Sequence, residues 1–145
     1  MPNQAVIDFI EKYDKFIITA HETPDGDALG SEYAMLLALR KLGKTARIFN
    51  ADPAPLRFDY LGPAREFEVL NAKEQTPKDI GSYALLILDV NDLNNIGQVA
   101  TLVLPKVKEY FIIDHHDSDR LIHLAPRNIA RAVSALRAGD EKPLP

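Results

Sequence analysis

The sequence predicts an α/β domain of three layers around a mainly parallel sheet. Strand-like and helix-like segments alternate along the chain, which is the pattern of crossover-connected parallel strands. Two apolar runs, "YALLILDV" (83–90) and "EYFIID" (109–114), are too continuous for strands with one face in water. Three strand-like runs also end in acids or histidine, as loops at the carboxyl edge of such a sheet often do.

Each element has its own signal. Val6, Ile7, Phe9, Ile10 and Tyr13 can share one helical face within residues 3–13, and "FIITA" (16–20) follows as a short β-rich run. After a polar turn, "DALGSEYAMLLALRKLGK" (27–44) places Leu29, Tyr33, Leu36, Leu37 and Leu39 or Arg40 at helical spacing, with Gly43 as the stop. "ARIF" (46–49) reads as a strand. "ADPAPLRFDYLGPA" (51–64) is broken by Pro53, Pro55, Gly62 and Pro63 into a loop with little regular structure. "FEVL" (67–70) is a short strand. Between the two long apolar runs lie roughly twenty residues, room for a crossover helix over "IGQVATLVL" (96–104). The last stretch, "PRNIARAVSALRAGDEKPLP" (126–145), reads as an amphipathic helix stopped by Gly139, with a polar end. The organisation expected is therefore one domain over 1–125 followed by this helix and tail over 126–145.

Composition bounds the function. A chain of 145 residues can bury a real core. Its net charge of -4 and pI near 5.5 argue against a nonspecific nucleic-acid coat or a membrane-surface protein, so an anionic substrate must be held locally. Cysteine is absent, which excludes disulfides, thiolate zinc sites and cysteine nucleophiles. No apolar run approaches membrane-spanning length, and the acids near the start do not suit a secretion signal. A cytoplasmic protein that does not contact a membrane is expected.

The chemistry is concentrated where the strands end: "FIITAHETPDGD", "LLILDVND" and "FIIDHHDSD". His21, Asp25, Asp27, Asp89, Asp114, His115 and His116 should cluster in space, and they include three of the four histidines. Carboxylates packed together raise one another's pKa unless cations neutralise them. Carboxylates and imidazoles without thiolate suit magnesium or manganese, with zinc, cobalt or iron as alternatives. The number of ligands suggests two ions about 3.5–4 Å apart, the clamp suited to in-line phosphoryl displacement. A calcium loop starting at Asp25 fails, because Leu29 and Leu36 would occupy ligand positions. The glycines match neither a dinucleotide fingerprint nor a P-loop. Gly26 is expected to let the loop turn between two ligands and Pro24 to stiffen its entry; the alternative employment of Asp27 or Ser31 is capping the following helix. Asp92, Asp117 and Asp119 read as solvated loop carboxylates, and His123 as an ordinary polar side chain.

The ordered set "HETPDGDALGS", "LDVND" and "DHH" resembles the DHH phosphoesterase family, in its branch of small-RNA and pAp (3′-phosphoadenosine 5′-phosphate) phosphatases, the nanoRNases. The resemblance covers about residues 1–125 and implies a Rossmann-like N-terminal DHH domain. It implies two divalent ions, usually manganese, with magnesium or cobalt as alternatives. His21 and Asp25 would bind the first metal, Asp27 and His115 the second, and Asp89 both. Asp114 would orient the neighbouring imidazoles, and His116 would contact the substrate phosphate. The implied reaction is hydrolysis of short RNA or DNA oligonucleotides or of pAp by a metal-activated hydroxide. Relatives carry a further metal-binding Asp on a later strand and a second, substrate-gripping domain with a glycine-rich segment. Residues after His116 supply neither, so the second metal site is expected to be incomplete. The competing expectations are a metal- and nucleotide-binding module of low activity, and a pyrophosphatase-like anhydride hydrolase. A sheet edge beyond the DHH strand would favour pairing with a second copy of the chain.

Overall fold

The computed structural model describes residues 4–90 and 92–113. Asp114, His115, His116, Asp117, Asp119, His123 and the helix expected over 126–145 lie outside the described residues, as does the expected boundary at residue 125.

A five-stranded sheet forms the centre, with β1 (Lys15–Thr19), β2 (Thr45–Asn50), β3 (Phe67–Val69), β4 (Ala84–Leu88) and β5 (Tyr110–Ile113) in the order β3-β2-β1-β4-β5. Every pairing is parallel, so the α/β expectation holds. β4 is buried along its whole length and β1 along all but its first residue, which is why their sequences run apolar without alternation.

Helix α1 (Gln4–Lys12) docks through Phe9, whose ring meets Phe16 of β1 and Phe111 of β5. The register Ile18↔Leu86↔Phe111 puts these side chains in one row on the face that carries Phe16. Ile7, expected on the buried face of α1, is 42% exposed.

Helix α2 (Gly26–Lys41) is the long connection from β1 to β2 and buries Ala28, Leu29, Glu32, Leu36 and Leu39. Its buried face is turned slightly from the one the sequence suggests. Leu37 is exposed and Tyr33 half-buried, while Glu32 lies at the centre of the stripe. The helix ends in a Schellman motif: Lys44 N–H donates to Leu39 C=O and Gly43 N–H to Arg40 C=O. Gly43 sits at φ +81 with no atom where a Cβ would go. Gly43→Ala should therefore cost about 1 kcal/mol through backbone strain alone, read as a shift in the denaturation midpoint.

Two connections depart from expectation. The proline-broken stretch after β2 is organised as 3-10 turns at Leu56–Leu61 and Ala64–Glu66. The crossover from β4 to β5 holds no long helix: a 3-10 turn at Leu93–Ile96 and a single α-turn, α3 (Val99–Leu102), are separated by Gly97 at φ +61. A Cβ on Gly97 would stand 2.5 Å from the Ala51 Cβ. Close approach of the segments after β2 and β4 thus interrupts the helix that the apolar spacing suggests. Among the described residues no helix is long and apolar enough to cross a membrane.

Candidate metal centre

The strand order places the site. The chain steps outward from β1 to β2 to β3, then returns to lay β4 on the other side of β1. At such a reversal the connections leave in opposite directions and open a crevice at the carboxyl ends of the two strands. His21 lies just beyond β1 and Asp89 is the first residue after β4, so both stand at this crevice.

Local backbone geometry aims the groups. Asp89 adopts φ +59, the left-handed region that a non-glycine residue enters at a cost, and its N–H donates to Ile113 C=O at 2.9 Å. It is only 8% exposed. Asp25 caps α2: its Oδ1 accepts the Ala28 N–H at 2.9 Å. The cap is therefore neither Asp27 nor Ser31. Helix formation itself holds the Asp25 carboxylate at the positive end of the α2 dipole.

Residues 21–25 are tied on both sides. Glu22 N–H donates to Asn95 C=O and Thr23 N–H to Asp52 Oδ2. The left-handed residue of this loop is Thr23, at φ +49. Gly26, expected to supply the turn, is instead the first residue of α2 and has a steric role: a Cβ there would come within 3.1 Å of the Phe58 ring.

His21 Nδ1 lies 2.6 Å from Glu22 C=O. A carbonyl only accepts, so this contact puts a proton on Nδ1 and leaves Nε2 as the ring nitrogen available to a metal. Nε2 stands 3.4 Å from Asp89 Oδ2 and 3.8 Å from Asp25 Oδ1. One ligand atom from each of His21, Asp25 and Asp89 lies within 4.8 Å of the others.

An imidazole lone pair facing two carboxylates is a donor set that asks for a cation. Ligand atoms each about 2.1 Å from one ion stand at most about 4.2 Å apart, so the 3.4 and 3.8 Å separations fit a single divalent ion with little movement. Nitrogen and oxygen donors without sulfur suit magnesium, manganese, zinc or cobalt.

The other expected site residues divide. Asp27 is exposed in the first turn of α2 and is not part of the close trio. Asp92 accepts the Asn94 N–H at 2.9 Å and caps the 3-10 turn after β4, a structural use. Asp114, His115 and His116 lie outside the described residues, while Ile113, next to them in sequence, ends β5 beside β4.

Sequence reasoning missed the residues that support the loop: Asp52, Asn95, Asn50 and Glu32. Asn50 is buried at the end of β2, where its Oδ1 accepts the Ala20 N–H at 3.1 Å and its Nδ2 donates to Glu32 Oε1 at 2.9 Å. Burial pushes the Glu32 carboxyl from 4.5 up to about 8, against the smaller opposing effect of the Asn50 hydrogen bond. The available signal was positional: residue 32 falls three after Leu29 and four before Leu36, on the buried stripe of α2.

Comparison with known proteins agrees with this fold. Residues 15–135 match the model of the DHH family, N-terminal domain. A crystal structure of an exopolyphosphatase-related protein from Bacteroides fragilis superposes with a TM-score of 0.71 at 21% identity, covering 96% of this chain and 49% of that one. This chain thus spans about half the length of that protein, and the likeness is one of fold. No curated protein matches the chain.

Proposed function

As the chain belongs to the DHH family, we propose that it is a metal-dependent hydrolase of phosphate esters whose substrates are short oligonucleotides or pAp. The observation that carries this reading is the convergence of His21 Nε2 with carboxylate oxygens of Asp25 and Asp89 at the sheet's switch point. These three residues would hold a divalent ion. When bound, the ion supplies charge neutralisation for a phosphate and lowers the pKa of water at the site.

The residues contribute orientation and access. The Glu22 carbonyl fixes the His21 tautomer, so the lone pair faces the trio without a rearrangement. The α2 cap holds Asp25, and the left-handed turn holds Asp89 against the end of β5. An open cleft lined by His21, Glu22, Thr23 and Asn95 reaches the same histidine. Asp27 and His115 would serve a second ion and His116 the substrate phosphate, as the family motifs suggest. Manganese is the proposed metal, and the cytoplasm the proposed compartment.

Hydrolysis of bis-p-nitrophenyl phosphate, pAp, a dinucleotide and pyrophosphate, each with manganese and with chelator, tests the reading. Manganese-dependent turnover of pAp or the dinucleotide is expected. Turnover of pyrophosphate alone would replace it by the anhydride reading, toward which the exopolyphosphatase-related neighbour points. Manganese binding with no turnover of any substrate would leave a metal- and nucleotide-binding module.

A further inference from the structure

Where β1 and β2 part to open the crevice, strand pairing gives way to a side chain. The register of these strands ends at Ile18↔Ile48, and two residues further on the Ala20 N–H is taken by Asn50 Oδ1. Thr19 Oγ1 is 3.4 Å from the same oxygen. The Asn50 backbone carbonyl is already engaged on the other side by Leu70 N–H. One residue therefore links β3 to the end of β1, and the next residue along is His21.

An amide side chain can do this only in one orientation. Turned over, Asn50 would present its NH2 group to the Ala20 N–H, donor against donor, in a place that water does not reach. Glu32 supports the correct orientation, because its Oε1 receives the Asn50 NH2 that would otherwise be buried without an acceptor, either as a carboxylate or as a neutral acid with its proton on Oε2. Both side chains are buried, Glu32 at 0% and Asn50 at 1% exposure, and Glu32 Oε2 has no hydrogen-bond partner among the described residues. A carboxyl kept in such a place at a desolvation cost calls for a reason beyond packing.

We propose that Glu32 and Asn50 are a buried positioning pair that fixes the backbone entering His21 and so sets the geometry of the metal trio. Glu32 orients the Asn50 amide, Asn50 anchors the Ala20 N–H, and this anchor determines where the His21 ring leaves the sheet. The pair also joins the trio's two sides, since Glu32 belongs to the helix whose cap is Asp25. The inference rests on reading the trio as a metal centre.

Manganese affinity measured by calorimetry, alongside thermal unfolding in chelator, tests it on the full chain. Glu32→Leu removes the acceptor for the Asn50 NH2 while filling the space. It should weaken manganese binding about 10- to 100-fold, the range typical of lost outer partners of a metal ligand. Glu32→Gln restores an acceptor oxygen and should bind within about twofold of wild type, a rescue that a packing role would not require. Asn50→Leu should weaken binding at least as much as Glu32→Leu; should it fail to fold, Glu32→Leu and its Gln counterpart carry the test. Wild-type affinity in a folded Glu32→Leu chain, or equal losses in the Leu and Gln variants, overturns the assignment alone. A wild-type chain that takes no manganese overturns the metal centre, and this assignment with it.

Discussion

Asp89→Asn is expected to weaken manganese binding by more than about a hundredfold and to abolish metal-dependent hydrolysis while the chain stays folded. The factor should exceed the 10- to 100-fold typical of outer partners, because Asp89 would be a direct ligand. Folding should survive because asparagine enters the left-handed region more readily than other non-glycine residues, and Asp89 sits at φ +59. The substitution keeps the shape and the backbone bond to Ile113 while removing the charge. Circular dichroism and calorimetric manganese titration read the two parts separately. Asp92→Asn is the matched control: it loses at most about 1 kcal/mol of capping and should bind manganese as wild type does. Undiminished manganese binding by Asp89→Asn would remove Asp89 from the metal centre.

The stability of the metal-free chain should fall as pH rises from about 5 to about 8, and Glu32→Gln should flatten that fall. The Glu32 carboxyl titrates near 4.5 when exposed and at about 8 when folded. Between these values the folded chain holds a proton that the unfolded chain has lost. Stability is then fully present below the lower value, declines through the window and levels off above the upper one. The change is up to roughly 5 kcal/mol, at 1.36 kcal/mol per pH unit. Asp79 and Glu66, whose carboxyls are held below their ordinary range chiefly by Lys15 and Arg40, act in the opposite sense and at lower pH. Stability should therefore peak in mild acid. Denaturation midpoints at pH 5, 7 and 9 in chelator, for wild type and Glu32→Gln, measure the slope. Equal slopes would show that Glu32 is ionised or solvated in the folded chain.

The sheet was legible because its strands are buried on both faces. "FIIT" and "ALLIL" carry no polar alternation that could have suggested an antiparallel strand, and β1 and β4 are indeed central. The positions of His21 and Asp89 at strand ends followed from the same runs. What stayed hidden depends on packing between distant segments. The spacing of Ile96, Val99 and Val103 suggests a helix, but the contact of Gly97 with Ala51 breaks it. Asp25, an expected ligand, caps a helix, because a carboxylate at a helix start suits either use. Glu32 was invisible because glutamate within a helix ordinarily faces water. Only the approach of Asn50 from the end of β2 gives its carboxyl somewhere to be.

The order β3-β2-β1-β4-β5 also bears on how the chain assembles. β1 meets β2 across a single helical connection, whereas it meets β4 only after the whole excursion through β2 and β3 has been made. Pairings between segments far apart in sequence carry the larger loop-closure entropy and tend to form late. His21 belongs to the early half and Asp89 to the late one. An ion held by both would act as a reversible clasp across the last seam to close. Interactions absent from the transition state act mainly on the reverse rate, so such a clasp would prolong the lifetime of the folded chain more than it hastens its formation.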